Sequence, residues 1–174
     1  MKNTFKLVTG LVIAVQLACG PNTAKNADTA DSGMQTASAT IQPGAEQLDK
    51  YLPLLEGKKV GMMGNQTSVV GDRHLVDVLL EEGVDLKFAF APEHGFRGEI
   101  ERGEKVANDV DKQTGLPLYS LYGKNEKADS IVASVDVVIF DLQDVGARFY
   151  TYIASLHRVM QLCANQGKKL LVLD

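Results

Sequence analysis

Short apolar runs that alternate with stretches of helical periodicity leave this chain few folds to choose from. Residues 59–63 (Lys-Val-Gly-Met-Met), 86–91 (Leu-Lys-Phe-Ala-Phe-Ala), 116–122, 135–140 (Val-Asp-Val-Val-Ile-Phe) and 169–173 read as strands. A helix is expected over 45–55, with Pro53 breaking its end. A second should start at Asp72 as its cap, run through Leu75, Val76, Leu79 and Leu80, and stop at Gly83. Two more are expected over 126–134 and 150–166, the last ended by Gly167. Such alternation implies an α/β fold: a mainly parallel sheet with helices on both faces.

In such sheets ligands bind in the crevice beyond the carboxyl ends of the strands. Two of the strands end abruptly in polar residues there. The run 86–91 gives way to Pro92, Glu93, His94 and Gly95, and the run 135–140 to Asp141, Asp144, Gly146, Arg148 and Tyr150. Glu93 follows a buried strand and is flanked by Pro92 and Gly95. A carboxyl group beside apolar walls favours its protonated form, which suits a general acid. The alternative is a loop carboxylate that caps a helix or pairs with Arg97 or Arg102. Asp141 and Asp144 are candidates for a second carboxylate. Arg148 suits an anionic substrate group, unless it pairs internally with an Asp. Tyr150 and Tyr152 bring hydroxyls to the crevice from the start of a helix. Asn65 and Gln66 close the first strand and suit hydroxyl or acetamido groups.

The N-terminus carries its own signal. Lys2 and Lys6 precede an apolar stretch of 11 residues, 7–17, too short to span a bilayer but suited to a signal h-region. It ends in Leu17-Ala-Cys19-Gly20, which reads as a lipobox in which Gln16 replaces the usual Leu. Residues 1–18 are thus expected to be a lipoprotein signal peptide and Cys19 a lipid-modified terminus. Residues 19–44, poor in large apolar side chains, read as a tether, and 45–174 as the folded domain. The location expected is a bacterial cell envelope, with the protein anchored to a membrane as a lipoprotein. Loss of Lys2 and Lys6 takes the net charge from −4 to −6. With no Lys/Arg-rich block, binding to nucleic acid is not expected. Cys163, alone once Cys19 is modified, falls in an apolar helical pattern and reads as a small core residue.

Cofactor signatures are missing. No G-x-G-x-x-G follows the first strand and no P-loop occurs, so nucleotide cofactors are disfavoured. There is no H-E-x-x-H and no Cys pair. Of the three His residues, His74 and His157 fit helical patterns, as surface or partly buried groups. A metal held by Glu93, His94 and Asp144 is a minor alternative. No cofactor and no resident metal are expected.

Taken together, Gly64-Asn-Gln-Thr, Ala91-Pro-Glu-His-Gly-Phe-Arg-Gly98, Gly103-Glu104, Thr114-Gly-Leu-Pro-Leu-Tyr-Ser-Leu-Tyr-Gly123 and Phe140-Asp-Leu-Gln-Asp-Val-Gly-Ala-Arg-Phe-Tyr-Thr-Tyr152 resemble the NamZ-type exo-β-N-acetylmuramidases, over residues 45–174. The resemblance implies a Rossmann-like domain of a glycosidase acting on peptidoglycan fragments. Such enzymes release N-acetylmuramic acid (MurNAc) from the non-reducing end of β-1,4-linked chains of MurNAc and N-acetylglucosamine (GlcNAc). It places the catalytic Glu on Glu93 and cleft residues on His94, Asp144, Arg148, Tyr150 and Tyr152. Asp144 is preferred over Asp141 as second carboxylate, although the substrate's 2-acetamido group could serve as internal nucleophile instead. The family's chains are about twice as long, with a second α/β domain following a Leu-Asp-Arg-Pro-Asn-Pro stretch that would begin at Leu173-Asp174. The expectation is therefore a chain truncated at its C-terminal end. Two other readings compete with the muramidase: a muropeptide- or sugar-binding lipoprotein without turnover, and a metal-assisted hydrolase.

Overall fold

The computed structural model describes residues 41–92, 95–98, 109–121 and 127–173. The signal segment, Cys19, most of the tether, Glu93 and His94 lie outside them. A short 3-10 turn (Gly44–Glu46) leads into α1 (Leu48–Leu55), β1 (Lys59–Gly64), β2 (Val69–Val70), β3 (Arg73–His74), α2 (Leu75–Glu81) and β4 (Asp85–Ala91). There follow β5 (Asp109–Val110), β6 (Pro117–Ser120), α3 (Ala128–Ala133), β7 (Val137–Asp141), α4 (Tyr152–Asn165) and β8 (Lys169–Val172).

The main sheet has the order β5-β6-β4-β1-β7-β8. All its pairings are parallel except β5 with β6. Chain order thus reverses direction at β1, which lies between β4 and β7. That is the switch point at which a crevice opens beyond the strand ends.

Strand periodicity sorts the core into two layers. Val60, Met62, Leu86, Ala89, Val137 and Ile139 pack against Tyr51 and Leu55 of α1 and Leu75, Val76 and Leu79 of α2. Met63, Phe88, Phe90, Val138 and Phe140 face the other way, onto Val132 of α3 and Val159, Leu162 and Cys163 of α4. Helices therefore cover both faces, as the alternation in sequence implies. In this second layer Cys163 is 3% exposed, and burial pushes its thiol up to about 11, as suits a core residue.

One close approach in the sheet depends on a glycine. A Cβ built on Gly61 would lie 2.3 Å from Cζ of Phe88. The ring can sit there because the register slips between Val60 and Gly61, pairing Val60 with Leu86 but Gly61 with Phe88, so Lys87 is the extra residue of a bulge in β4. Gly61→Ala is expected to cost about 1–3 kcal/mol, as overpacking does, read as a lower midpoint in denaturant unfolding. An unchanged midpoint would show that Phe88 can step aside.

Several local expectations need correction. Pro53 does not break α1 but sits in its last turn, and the helix runs on to Leu55. Helix α2 is capped not by Asp72 but by His74, whose Nδ1 accepts from the Val76 amide at 3.2 Å. Asp72 belongs instead to the two-residue turn of the β2–β3 hairpin, where Gly71 takes a φ of 62°. No strand is expected between the runs 86–91 and 116–122, yet β5 lies there and adds an antiparallel edge. Helix α4 begins at Tyr152, leaving Tyr150 in the preceding loop.

Candidate active site

At the switch point the end of β1 and the end of β7 are knotted together. Asn65 follows β1 and is 1% exposed. Its Oδ1 accepts from the Thr67 amide (2.9 Å) and hydroxyl (2.7 Å), and its carbonyl accepts from the Ser68 amide (3.0 Å). Ser68 Oγ accepts from the Asn65 amide (3.0 Å) and donates to the Asp141 carbonyl (2.5 Å). Asx geometry thus folds the Asn-Gln-Thr-Ser segment back over the strand end.

The same Asn65 also reaches the segment that follows β7. Its Nδ2 donates to the Tyr152 hydroxyl at 3.1 Å, tying the β1 loop to the start of α4. Because both ends of its carboxamide are engaged within the protein, Asn65 shapes the crevice wall. His74 supports the arrangement from behind. Its Nδ1 accepts from Val76, so Nε2 carries the proton and donates to the Asn65 carbonyl at 2.9 Å. Burial, then the charge of Arg97, lowers the His74 pKa, which keeps this neutral tautomer.

Beyond β7 the predicted residues separate. Asp141 is half-buried at the strand's last position. It lines a cavity of about 600 Å³ with Gly44, Gln47, Thr67, Gln143 and Leu173. Burial, with the Asp141 charge adding, raises the pKa of the Tyr51 phenol, which donates to the Ala45 carbonyl at 2.7 Å. Asp144 is exposed, and its Oδ1 accepts from the Gly146 amide at 2.6 Å. Arg148 is also exposed and makes no ion pair among the described residues. The internal Asp–Arg pair that sequence left open is therefore not formed with Asp141 or Asp144.

Aromatic rings form a file from solvent toward the knot. Phe149 is 83% exposed, Tyr150 40% and Tyr152 8%. Successive ring centroids are 5.6 and 5.5 Å apart. In a chain without Trp, these are the aromatic rings on the segment that also carries Asp144 and Arg148.

At the third strand end, Glu93 and His94 lie outside the described residues, but their neighbours do not. Pro92 and Gly95 are buried, and the Pro92 carbonyl accepts from the Gly95 amide at 3.0 Å. Phe96 is 3% exposed and packs on the His74 ring at 4.8 Å. Arg97 is taken up by Asp77 and Asp111 through four hydrogen bonds of 2.7–3.0 Å. Glu93, the partner that sequence allowed it, lies outside the described residues. The carboxylates that hold Arg97 escaped sequence reasoning, because no local pattern joins Asp77 and Asp111 to it.

Among the described residues no three His, Cys, Asp or Glu side chains gather as a metal site, and no helix is long and apolar enough to cross a membrane. The trio weighed for a metal includes Glu93 and His94, which lie outside those residues.

Known proteins share this pattern. Peptidoglycan beta-N-acetylmuramidase NamZ of Bacillus subtilis (strain 168) is 38% identical over 178 residues, which covers 99% of this chain and 42% of that protein. Two crystal structures of DUF1343 family proteins from Bacteroides fragilis NCTC 9343 share the fold, at 40% identity with a TM-score of 0.64 and 37% with 0.67. Each match covers 76% of this chain and 34% of the other. The chain therefore spans well under half the length of the relatives it matches. The family described as exo-beta-N-acetylmuramidase NamZ, N-terminal, matches residues 60–174, from β1 to the last residue, and the chain belongs to that family.

Proposed function

We propose that this chain is the Rossmann-like part of an exo-acting glycoside hydrolase that releases terminal N-acetylmuramic acid from the non-reducing end of β-1,4-linked peptidoglycan fragments. The observation that carries the reading is the switch point at β1, between β4 and β7, in a chain of the NamZ family. There an exposed carboxylate (Asp144), an exposed guanidinium (Arg148) and a file of aromatic rings are carried on the one segment, 144–152, that follows β7.

Hydrolysis of a glycosidic bond needs a proton for the leaving oxygen and stabilisation of an oxocarbenium-like centre. Glu93 is the general acid. Its proton goes to the bridging oxygen as the bond to the anomeric carbon breaks, and water supplies the new hydroxyl there. Asp144 acts on the opposite side, either directly as second carboxylate or by orienting the 2-acetamido group as internal nucleophile. Arg148 pairs with the lactyl carboxylate that distinguishes muramic acid from glucosamine, a contact for which a planar guanidinium is well shaped. His94, Asp141, Tyr150 and Tyr152 complete the cleft, and Asn65 holds Tyr152 in place. The protein is anchored through lipid at Cys19 on a bacterial membrane facing the cell wall.

The test is incubation of the natural-length protein, without its signal, with the disaccharide MurNAc-β-1,4-GlcNAc, with and without a chelator. Free MurNAc is expected in both. Release abolished by the chelator would favour the metal-assisted route, and affinity without release would leave a sugar-binding protein.

A further inference from the structure

We propose that His74 is a positioning residue for Tyr152: in its neutral form it holds Asn65 against the Tyr152 hydroxyl, and protonation in acid releases that hold. The proposal rests on the muramidase reading, in which Tyr152 is a cleft residue. His74 is the last residue of β3 and the cap of α2, and it acts only through the groups it binds.

Three hydrogen bonds in series link α2 to α4. The Val76 amide donates to His74 Nδ1 at 3.2 Å, His74 Nε2 donates to the Asn65 carbonyl at 2.9 Å, and Asn65 Nδ2 donates to the Tyr152 hydroxyl at 3.1 Å. Asn65 is fixed at its other polar atoms too. Its amide donates to Ser68 Oγ at 3.0 Å, its carbonyl also accepts from the Ser68 amide, and its Oδ1 accepts from the Thr67 amide and hydroxyl. A shift of the Asn65 backbone is therefore passed on to its carboxamide. The Tyr152 ring in turn packs edge-on against Tyr150, with centroids 5.5 Å apart.

Only one protonation state of His74 makes both of its bonds. Nδ1 must accept and Nε2 must donate. A proton on Nδ1 sets two N–H donors face to face, so the ring has to turn from Val76, from Asn65 or from both. The charged groups that face the ring are Arg97, from the segment after β4, and Asp77, from α2. Asp72, Arg73 and Glu81 line the same cavity, with Arg73 paired to Glu81. Burial, then the Arg97 charge, outweighs the backbone of Asn65 and Phe96 and the charge of Asp77, and lowers the His74 pKa from 6.5. The hold is thus complete above pH 6.5 and is lost as pH falls through the lower folded value.

Two substitutions separate the bonds. His74→Asn keeps a good helix cap but is too short to reach the Asn65 carbonyl. His74→Gln has the length to donate to that carbonyl and does not titrate.

The experiment measures kcat and KM on MurNAc-β-1,4-GlcNAc, from neutral pH to well below 6.5, for the natural-length protein. Alongside it run His74→Asn, His74→Gln, Tyr152→Phe, the double variant of His74→Asn with Tyr152→Phe, and the control His157→Gln, altered at an exposed residue of α4. All are assayed below the onset of thermal unfolding. At neutral pH His74→Asn is expected to raise KM about 3- to 10-fold, the scale of one hydrogen bond, with kcat little changed. It should add nothing in the Tyr152→Phe background. In acid the wild-type KM should rise by a like factor as His74 protonates, and that of His74→Gln should rise less by that factor. His157→Gln should follow the wild type throughout. An equal effect of His74→Asn with and without Tyr152→Phe overturns the proposal, and so does an acid rise in His74→Gln as large as the wild type's. Where His74→Asn does not fold, the acid rise in His74→Gln decides alone. A wild-type protein that releases no MurNAc refutes the muramidase reading, and the positioning role falls with it; an active wild type without the coupling refutes only the role of His74.

Discussion

Arg97→Met should destabilise the fold by about 3–5 kcal/mol, the scale expected when one partner of a buried ion pair is removed. The size follows from what is left behind. Asp111 is 4% exposed and Asp77 17%, so the loss strands two carboxylates near one another with little water to solvate them. The cost should depend on pH in a defined direction. Burial acts to raise the Asp111 pKa, but the hydrogen bonds from Arg97 and Thr114 outweigh it and hold the carboxyl below its ordinary value of 3.8. A group whose folded pKa is depressed contributes stability that is present above its unfolded pKa and lost as pH falls through the folded one. In the wild type that contribution is complete at neutral pH and fades below pH 3.8. In Arg97→Met, burial acts without the opposing guanidinium, and protonation relieves the stranded charge. The stability gap between the two proteins, read by urea unfolding, should therefore be widest at neutral pH and narrow toward pH 4. A gap that is constant with pH would mean that Arg97 contributes packing only.

Glu93→Gln should lower MurNAc release by the natural-length protein about 10²- to 10⁴-fold, the usual contribution of a general acid. Gln matches Glu in shape and can still meet the sugar, but it has no proton of suitable acidity to give the leaving oxygen. Substrate affinity should persist while turnover is lost. Asp144→Asn distinguishes the two roles left to the second carboxylate. A nucleophile or base replaced by Asn should lose rate on every substrate. An orienting group should lose most where the 2-acetamido group is present. Retention of rate in Glu93→Gln would move the acid to another carboxyl, with Asp141 the first candidate, half-buried at the end of β7.

How much of this was legible in sequence depends on the distance over which each feature is written. The parallel strands were readable because each is a continuous apolar run, and the layers because residues such as Met62 and Met63 alternate between faces. The placement of Asn65, Asp141 and Asp144 at strand ends followed directly. Two-residue strands such as β2 and β3 have no period to detect, so the hairpin was missed. The α2 cap was misassigned because Asp72 is the commoner capping residue, while His74 gains the role from its burial beside Phe96 and Asn65. Long-range partnerships were beyond reach. Asn65 finds Tyr152 across 87 positions, and Arg97 finds Asp77 and Asp111 across 20 and 14. Each depends on the strand order, which single-chain periodicity does not fix. The internal bonds of Asn65 to Thr67 and Tyr152 were therefore not legible beside its reading as a ligand contact.

The most direct test of the account is a crystal structure of the natural-length Glu93→Gln protein with MurNAc-β-1,4-GlcNAc bound. The account predicts the disaccharide beyond the carboxyl ends of β1, β4 and β7, with the bridging oxygen within hydrogen-bond reach of residue 93, the lactyl carboxylate on Arg148 and a ring face toward Tyr150. A disaccharide seated elsewhere, or one with its bridging oxygen out of reach of residue 93, would contradict it.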